Sequence, residues 1–234
     1  MYTYSKKILF SDIDQGARMS LAGIMNALQD CVNINSESIG KGIDYLLKTK
    51  RTWFAINWYI EVNRYPKMFE DVLVKTWPYD FTSSMGYRNV IMEDKEGQVI
   101  VAADSIWTLV DLDSGRPIRI TEEDTEGYDL EDKYPIENPG RKIKLPKEFQ
   151  LLDTVAVKKS DIDYNGHMSN GKYIQLADEY IPVESHPGKI RVEYKSQSRY
   201  GELLEIYKAT LEDKTIIKIQ GKEDGSIKAV VELS

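Results

Sequence analysis

The sequence predicts an α+β protein made of two similar domains in tandem, each with one long helix and an antiparallel sheet. The first observation is a repeat, because SDIDQGARMS at 11–20 returns as SDIDYNGHMS at 160–169 with six of ten positions identical. The second observation is that a helical pattern and then several strand-like segments follow each copy. Two copies separated by 149 residues indicate duplicated domains, since a solenoid repeats at much shorter intervals.

The first copy of the motif is preceded by a strand-like segment and followed by a predicted helix. Ser20 is a candidate N-cap, because its oxygen can accept a hydrogen bond from the first turn of that helix. Apolar residues then recur at helical spacing, namely Leu21, Ile24, Met25, Leu28, Cys31 and Val32. The predicted strands are rich in β-branched and aromatic residues and cover 2–10, 52–62, 71–79, 87–93 and 98–112.

The second half has the same order of elements. Ser169 is the corresponding N-cap candidate, and Pro182 is expected to end the helix. Its apolar face is formed by Tyr173, Ile174, Ala177, Tyr180 and Ile181. The predicted strands cover 153–160, 189–198, 202–211, 215–221 and 226–233. Strand, motif, helix and antiparallel meander therefore occur twice.

A polar segment separates the two halves. Residues 120–148 contain three prolines and an acidic run that gives way to a basic one, which is a composition typical of a linker. We therefore predict an N-terminal domain at 1–125, a linker at 126–149 and a C-terminal domain at 150–234.

Composition excludes several classes of protein. A net charge of −7 and a pI near 5.1 argue against a nucleic-acid-binding surface. The longest apolar run, at 99–103, is too short to span a membrane, and residues 1–10 lack a signal-peptide core. Cys31 is the single cysteine, so we expect it in the core of a cytoplasmic protein. Two histidines cannot form a His-rich metal site, so no metal or other cofactor is expected.

The second copy of the motif matches two functional templates. From Asp161 it begins like a calcium-binding EF-hand loop, but Lys172 occupies the position where that loop needs a glutamate. A strand-like segment also precedes it, whereas an EF-hand needs a helix there. In an extended segment Asp163, Asn165 and His167 point to one side. A carboxylate, an amide and an imidazole grouped in this way could activate water and polarise a carbonyl.

The two copies differ at the residues that carry this chemistry. Gly16 and Arg18 stand where the second copy has Asn165 and His167, while the aspartates are shared. Residues present in both copies are expected to have a structural role in the fold, and residues present in only one copy are expected to have a catalytic role. We therefore predict a catalytic site in the second half only. Asp163 is shared, so a helix-capping role and a catalytic role both remain open for it.

The second motif and its helix are similar to a known family. Residues 161–182, DIDYNGHMSNGKYIQLADEYIP, resemble the D-x-D-x-N-x-H-x-N-N-x-x-Y signature of hotdog-fold thioesterases, and of the acyl-ACP thioesterases in particular. Residues 52–78 also resemble the N-terminal domain of that family. The resemblance implies a tandem double hotdog, in which a curved antiparallel sheet wraps one long helix in each half. It also implies hydrolysis of the thioester between a fatty acyl chain and acyl carrier protein.

The same resemblance implies roles for the motif residues. Asn165 would hydrogen-bond the thioester oxygen, His167 would assist proton transfer, and Asp163 would act as nucleophile, general base or orienting group. The second asparagine of the signature is kept as Asn170, whereas the first is replaced by Ser169. Asn170 is therefore expected to contact the substrate.

Other positions implied by the resemblance lie outside the motif. Gln197 and Ser198 stand where plant members have glutamate and cysteine. Glutamine cannot act as a base, but its amide could hold the attacking water. Strand alternation would turn Ser198 to the opposite face, which makes it less attractive as a nucleophile, and Ser198 is instead expected to contact the substrate. Met25 and Leu28 of the first helix are expected to contact the acyl chain and to set its length.

The expected partners are acyl carrier protein, with its acyl-phosphopantetheine arm, and a fatty acyl substrate, without nucleic acid or a membrane span. Because the carrier is acidic and this chain is also acidic, docking requires a local basic patch. The candidates are residues 141–147, Arg191, Lys195 and Arg199. An acyl-CoA thioesterase and a non-catalytic acyl-binding protein remain alternatives, a dehydratase fits the motif less well, and a homodimer is compatible with the family plan.

Overall fold

The computed structural model of the chain describes residues 1–234, and its two halves repeat one succession of elements. The strands of the first half are β1 (Tyr2–Lys7), β2 (Arg51–Val62), β3 (Asp71–Phe81), β4 (Gly86–Glu93), β5 (Val99–Asp111) and β6 (Arg116–Pro117). Its helices are α1 (Leu21–Ser38), α2 (Ile43–Thr49) and α3 (Glu122–Thr125). The second half contains β7 (Gln150–Ala156), α4 (Asn170–Asp178), β8 (Lys189–Tyr194), β9 (Leu203–Thr210), β10 (Thr215–Gly221) and β11 (Ile227–Leu233).

All strands belong to one antiparallel sheet. The order is β1-β3-β4-β5-β2-β8-β11-β10-β9-β7, with β6 beside β5. Strands β7, β9, β10, β11 and β8 repeat the order of β1, β3, β4, β5 and β2. The halves join through β2 and β8, which pair from Asn57–Glu193 to Glu61–Lys189. The predicted α+β fold with a duplicated plan is therefore confirmed, and the two halves share a continuous sheet.

The helices lie on one face of this sheet and cover a single core. That core is a cluster of 36 buried residues drawn from both halves. Trp58 is fully buried in it and lies edge-on to Trp107, with 5.8 Å between ring centroids. Cys31 is fully buried there, and burial raises the pKa of its thiol to about 12. The expectation that Cys31 packs in the core is confirmed.

The opposite face of the sheet is covered by the segment between the halves. Ile136 packs against Trp77 and its neighbours, and Ile143 packs in a separate cluster on the second half of the sheet. The indole of Trp77 donates a hydrogen bond to the carbonyl of Asp132 at 2.9 Å. Alternation along the strands explains this arrangement, because the residues between those of the main core point to this face. The division into domains at 1–125 and 150–234, with a linker at 126–149, remains a prediction.

Several predicted boundaries differ from those observed. Strand β8 ends at Tyr194 instead of 198, since the N–H groups of Lys195 and Ser196 both turn to the carbonyl of Lys228. Helix α4 ends at Asp178, and the following turn carries the chain to Pro182 without further helix. No helix of the fold is long and apolar enough to cross a membrane.

Helix starts and short helices show the limits of local patterns. Ser20 caps α1 as predicted, accepting a hydrogen bond from the N–H of Gly23 at 3.0 Å. Ser169 is the N-cap residue of α4, as predicted, but its side chain does not accept the expected capping hydrogen bond. Helices α2 and α3 were not predicted, because seven and four residues are too few to display a helical period.

Candidate active site

The second motif forms a tight loop built on Asp163. Its Oδ1 accepts hydrogen bonds from the N–H of Asn165 at 2.8 Å and, more weakly, from that of His167 at 3.5 Å. The N–H of Asp163 donates to the carbonyl of His167 at 2.8 Å, which closes the loop. Gly166 has a φ of 76°, a left-handed conformation that glycine adopts without steric cost. The motif is therefore a tight turn and not the extended segment that was predicted, and the turn itself brings Asp163, Asn165 and His167 to one cavity. Strand β7 precedes it where an EF-hand would have a helix.

The first motif forms the same turn. Oδ1 of Asp14 accepts from the N–H groups of Gly16 at 2.8 Å and Arg18 at 3.2 Å. The N–H of Asp14 donates to the carbonyl of Arg18 at 2.8 Å. The residue at the Gly166 position is Ala17, with a φ of 56°. One oxygen of the shared aspartate thus builds the turn in both copies.

The second carboxylate oxygen differs between the copies. Oδ2 of Asp14 lies 3.2 Å from Nε2 of His186. Oδ2 of Asp163 makes no hydrogen bond, and the Asp163 side chain lines a cavity. Asp163 can therefore hold the loop with one oxygen and offer the other to a ligand.

A second loop lies beside the motif and is held by α4. The buried hydroxyl of Tyr173 accepts a hydrogen bond from the N–H of Ser198 at 3.1 Å. The N–H of Met168 donates to the carbonyl of Ser198 at 2.9 Å. These two bonds place the neighbouring residues Gln197 and Arg199 on the wall of the cavity. Sequence analysis missed the positioning role of Tyr173, although it is the tyrosine of the signature.

The cavity has a volume of about 1090 Å³ and extends from the two loops across the first half of the chain. One wall is α1, contributing polar residues such as Asn26, Gln29 and Asn33. The other walls come from the sheet and from the segment after α3, and include Trp53, Phe54, Phe81, Arg88, Trp107 and Tyr128. The surface of the cavity is mostly apolar, with the polar side chains of the motif at one end and further polar residues on α1, and a concave, largely apolar site with a few polar groups is usual for a small-molecule ligand.

The imidazole of His167 lies at the polar end of this cavity. It is half-buried, and its Nδ1 is buried without a hydrogen-bond partner. Its ring lies edge-on to Phe54, with 6.2 Å between centroids. Burial, and then the positive charge of Arg199, lower the pKa of His167, while Asp163 opposes them. The imidazole is therefore neutral near pH 7, the form that can accept a proton.

Five of the predicted site residues come together at the cavity. Asp163, Asn165, His167, Asn170 and Gln197 all line it. Asn170 also donates to the side chain of Gln29 on α1 at 3.1 Å, which ties the motif to the first half.

The other three predicted residues do not line the cavity. Ser198 is fully buried, and its Oγ has no partner. Met25 and Leu28 are fully buried in the main core, because α1 turns its apolar face to the sheet and a neighbouring polar face to the cavity. Helical spacing identifies an apolar face but does not show which side of the helix a cavity occupies.

At the first motif the corresponding space is filled. The N–H of Met19 donates to the carbonyl of Pro66 as Met168 does to Ser198, so Tyr65 occupies the position of Gln197. Tyr65 is buried and donates its hydroxyl to the carbonyl of Pro187 at 2.7 Å. The ring of His186 packs edge-on against Tyr65 at 4.9 Å. The two residues occupy the space beside the first motif, whereas the second motif opens onto a cavity.

Asp178, at the end of α4, lies near this filled site. Burial, with help from Glu179 and Asp14, raises the pKa of Asp178 to about 6, and His186 opposes the effect. The pKa of an aspartate in an unfolded chain is about 3.9. The folded chain therefore binds this proton more tightly than the unfolded chain. Protonation of Asp178 therefore stabilises the folded chain. This contribution is fully present below about pH 4 and is lost as the pH rises to about 6.

We expect Asp178→Asn to raise the free energy of unfolding at pH 7 by about 1–2 kcal/mol, because it removes a carboxylate that is costly to ionise. At pH 4 the wild-type carboxyl is mostly protonated when folded, so the difference should nearly vanish. Urea unfolding at both pH values measures this. Glu179→Gln, at the exposed neighbour, should change stability less. An equal gain at both pH values would contradict the assignment.

The duplicated antiparallel sheet with its central helices defines this chain as a protein of the hotdog type. Residues 1–128 match the family model described as the acyl-ACP thioesterase N-terminal domain. Residues 144–232 match the model of the acyl-ACP thioesterase C-terminal domain. The chain therefore belongs to the acyl-ACP thioesterase family, as the resemblance of its motif predicted.

Curated relatives include two plant proteins. Oleoyl-acyl carrier protein thioesterase 2, chloroplastic, from Arabidopsis thaliana is 24% identical over 228 residues, covering 87% of this chain and 62% of that protein. Palmitoyl-acyl carrier protein thioesterase, chloroplastic, from Cuphea hookeriana is 25% identical over 181 residues, covering 70% of this chain and 43% of that protein. The chain spans less than two thirds of the length of either relative.

Two solved structures share the fold over nearly the whole chain. An acyl-ACP thioesterase from Bacteroides thetaiotaomicron has a TM-score of 0.88 at 24% identity, covering 99% of this chain and 96% of that one. The 12:0-ACP thioesterase from Umbellularia californica has a TM-score of 0.84 at 18% identity, covering 100% of this chain and 96% of that one. At these identities the likeness establishes the fold alone.

Proposed function

We propose that this protein hydrolyses the thioester of fatty acyl-ACP and releases free fatty acid, with its active site at the second motif. The observation that carries the proposal is the asymmetry between the copies. Only the second motif has Asn165 and His167, and it opens onto a largely apolar cavity. Family membership supports the same reaction.

The free polar groups support a hydrolytic mechanism. The side chain of Asn165 makes no hydrogen bond within the protein, so its amide can donate to the thioester oxygen as negative charge develops there. Oδ2 of Asp163 takes a proton from the attacking water. Water oxygen bonds to the carbonyl carbon, the carbon–sulfur bond breaks, and neutral His167 assists the return of the proton to the thiolate. The products are a fatty acid and the thiol of the carrier arm.

The carrier arm requires a positive group at the cavity, and Arg199 fits best among the predicted candidates, since residues 141–147 do not line the cavity. Arg191 is occupied by an ion pair with Glu232 at 2.7 Å, and Lys195 by one with Glu193 at 2.8 Å. The guanidinium of Arg199 lines the cavity without a carboxylate partner. We infer that Arg199 contacts the phosphate of the acyl-phosphopantetheine arm.

Matched thioesters test the proposed reaction. Acyl-ACP and acyl-CoA of one chain length are compared by release of free thiol under the same conditions. The proposal expects a higher kcat/KM for acyl-ACP. Faster turnover of acyl-CoA would favour a CoA thioesterase, and binding of acyl ligand without turnover would favour a non-catalytic binding protein.

Gln197 is proposed to hold the attacking water. We expect Gln197→Ala to lower kcat/KM by about 10-fold, the effect of losing one hydrogen bond to a reacting group. Gln197→Glu keeps an oxygen acceptor at the same place and should retain more activity than the alanine variant. Tyr200→Ala, at an exposed neighbour on the same loop, is the control. Equal rates for the wild type and Gln197→Ala would exclude Gln197 from the site.

A further inference from the structure

Arg88 on β4 is a buried cation without an anionic partner. Its side chain is 6% exposed and lines the cavity. Nη1 donates to Oδ1 of Asn35 at 2.7 Å and lies 3.3 Å from the hydroxyl of Thr76. The guanidinium also lies over the ring of Tyr128, 5.0 Å from its centroid. None of these neighbours carries a negative carboxylate.

The absence of a counter-charge at Arg88 is unusual within this chain. Lys228 is buried to a similar degree, and it is paired with Glu202 and Asp224. Burial without a carboxylate lowers the pKa of Arg88, so the surroundings disfavour its charge. A buried charge is costly unless it is paired, yet this one faces a cavity. Arg88 therefore has unused donors directed at whatever occupies the cavity.

Arg88 lies away from the catalytic end of the cavity. Helix α1 contacts the motif through Gln29 and contacts Arg88 through Asn35. Six residues of α-helix separate those contacts by about 9 Å along the axis. Aromatic rings line the cavity on the way, since Phe81 lies 6.1 Å from Trp53 and 6.0 Å from Tyr128.

We propose that Arg88 is a specificity-determining residue of the acyl site, placed along the cavity away from its catalytic end. It favours acyl chains that carry a hydrogen-bond-accepting oxygen at their far end, such as ω-hydroxyacyl chains. It disfavours plain alkyl chains long enough to cover it. This inference rests on the proposed function, because it assigns the cavity to the acyl chain.

The physical reason lies in the donors of the guanidinium. Arginine has five N–H donors, and only Nη1 makes hydrogen bonds within the protein. Methylene groups packed against the remaining N–H donors would displace the water that binds them without offering any hydrogen-bond acceptor in its place. An oxygen at the same place would accept a charge-assisted hydrogen bond. A purely structural Arg88, tying α1 to the sheet through Asn35, would leave chain preference unchanged.

Binding and turnover should be measured with matched ligands. Calorimetry compares free fatty acids with ω-hydroxy fatty acids over a series of chain lengths, and kinetics compares the corresponding acyl-ACPs. At the length that reaches Arg88, we expect the wild type to prefer the ω-hydroxy ligand by roughly 10- to 100-fold, the range for a hydrogen bond to a charged group. The Arg88→Met variant should lose that preference and should bind longer plain alkyl chains than the wild type does.

Asn35→Asp provides a second test that keeps the arginine. It places a carboxylate beside Nη1, so the charge is paired internally and the preference for an oxygen should fall. Circular dichroism and melting temperature establish that each variant is folded. If Arg88→Met does not fold, the ligand preference of Asn35→Asp alone tests the proposal. A wild type without preference at any length, or folded variants with the wild-type profile, would overturn the proposal. A ligand preference without hydrolysis of any thioester would refute the proposed function and leave this inference standing.

Discussion

Replacing His167 or Asn165 with alanine is expected to lower kcat by about 100-fold or more, the usual loss for a positioned proton-transfer or oxyanion group. Burial lowers the pKa of His167, so the imidazole is neutral near pH 7 and can accept a proton. The side chain of Asn165 is free of partners within the protein. Neither side chain supports the fold through a hydrogen bond, so stability should change little.

The first motif supplies the matched control. Arg18 occupies the position of His167 in the same turn, with the same backbone hydrogen bonds to its aspartate. Arg18→Ala should therefore leave kcat within about 2-fold of the wild type, since surface substitutions away from a site have small effects. Purified variants should be assayed with one acyl-ACP and their melting temperatures compared. Equal losses of activity at the two motifs would refute the assignment of the site to the second half.

Asp163→Asn is the second substitution with a large expected effect. Asparagine keeps an Oδ1 that accepts from the N–H of Asn165, so the turn should persist. It removes the free carboxylate oxygen that would take the proton from water. We expect kcat to fall by about 100-fold or more while the melting temperature is retained.

Two further variants separate the two roles of this aspartate. Asp163→Ala removes the turn acceptor as well, and should lose about 1–2 kcal/mol of unfolding free energy in addition to activity. Asp14→Asn makes the same change in the first motif and should leave kcat unchanged. If Asp163→Asn keeps most of its activity while Asp163→Ala loses it, the carboxylate only orients the loop. That result would transfer the role of base to another group.

Much of the site could be predicted because the motif is local. The turn needs only Asp163 and the backbone of the next few residues, although it is a tight loop and not the extended segment that was predicted. The repeat then distinguished the shared aspartates from Asn165 and His167 without any structure. The residues of α1 and the sheet that complete the cavity come from the first half of the chain, far from the motif in sequence. No local pattern connects them to the motif.

Three expectations show where local reasoning stopped. Met25 and Leu28 belong to a correctly predicted helix, but the sheet takes their face and leaves the polar face to the cavity. Ser198 is fully buried while its neighbour Gln197 lines the cavity, and Tyr173 on α4 holds the backbone N–H of Ser198, so Ser198 does not make the expected substrate contact. Each depends on contacts between distant elements, which a sequence pattern does not contain.

The sequence by itself determined the duplicated α+β plan, the family, and the asymmetry that directs chemistry to the second motif. These follow from short-range periodicity and from comparing the two copies. Only the tertiary structure decided that Tyr65 and His186 fill the space at the first motif while the second opens onto a cavity. Only the tertiary structure shows that Arg88 lies in that cavity without a carboxylate partner. The reason is that burial and pairing of a side chain depend on which distant elements pack around it.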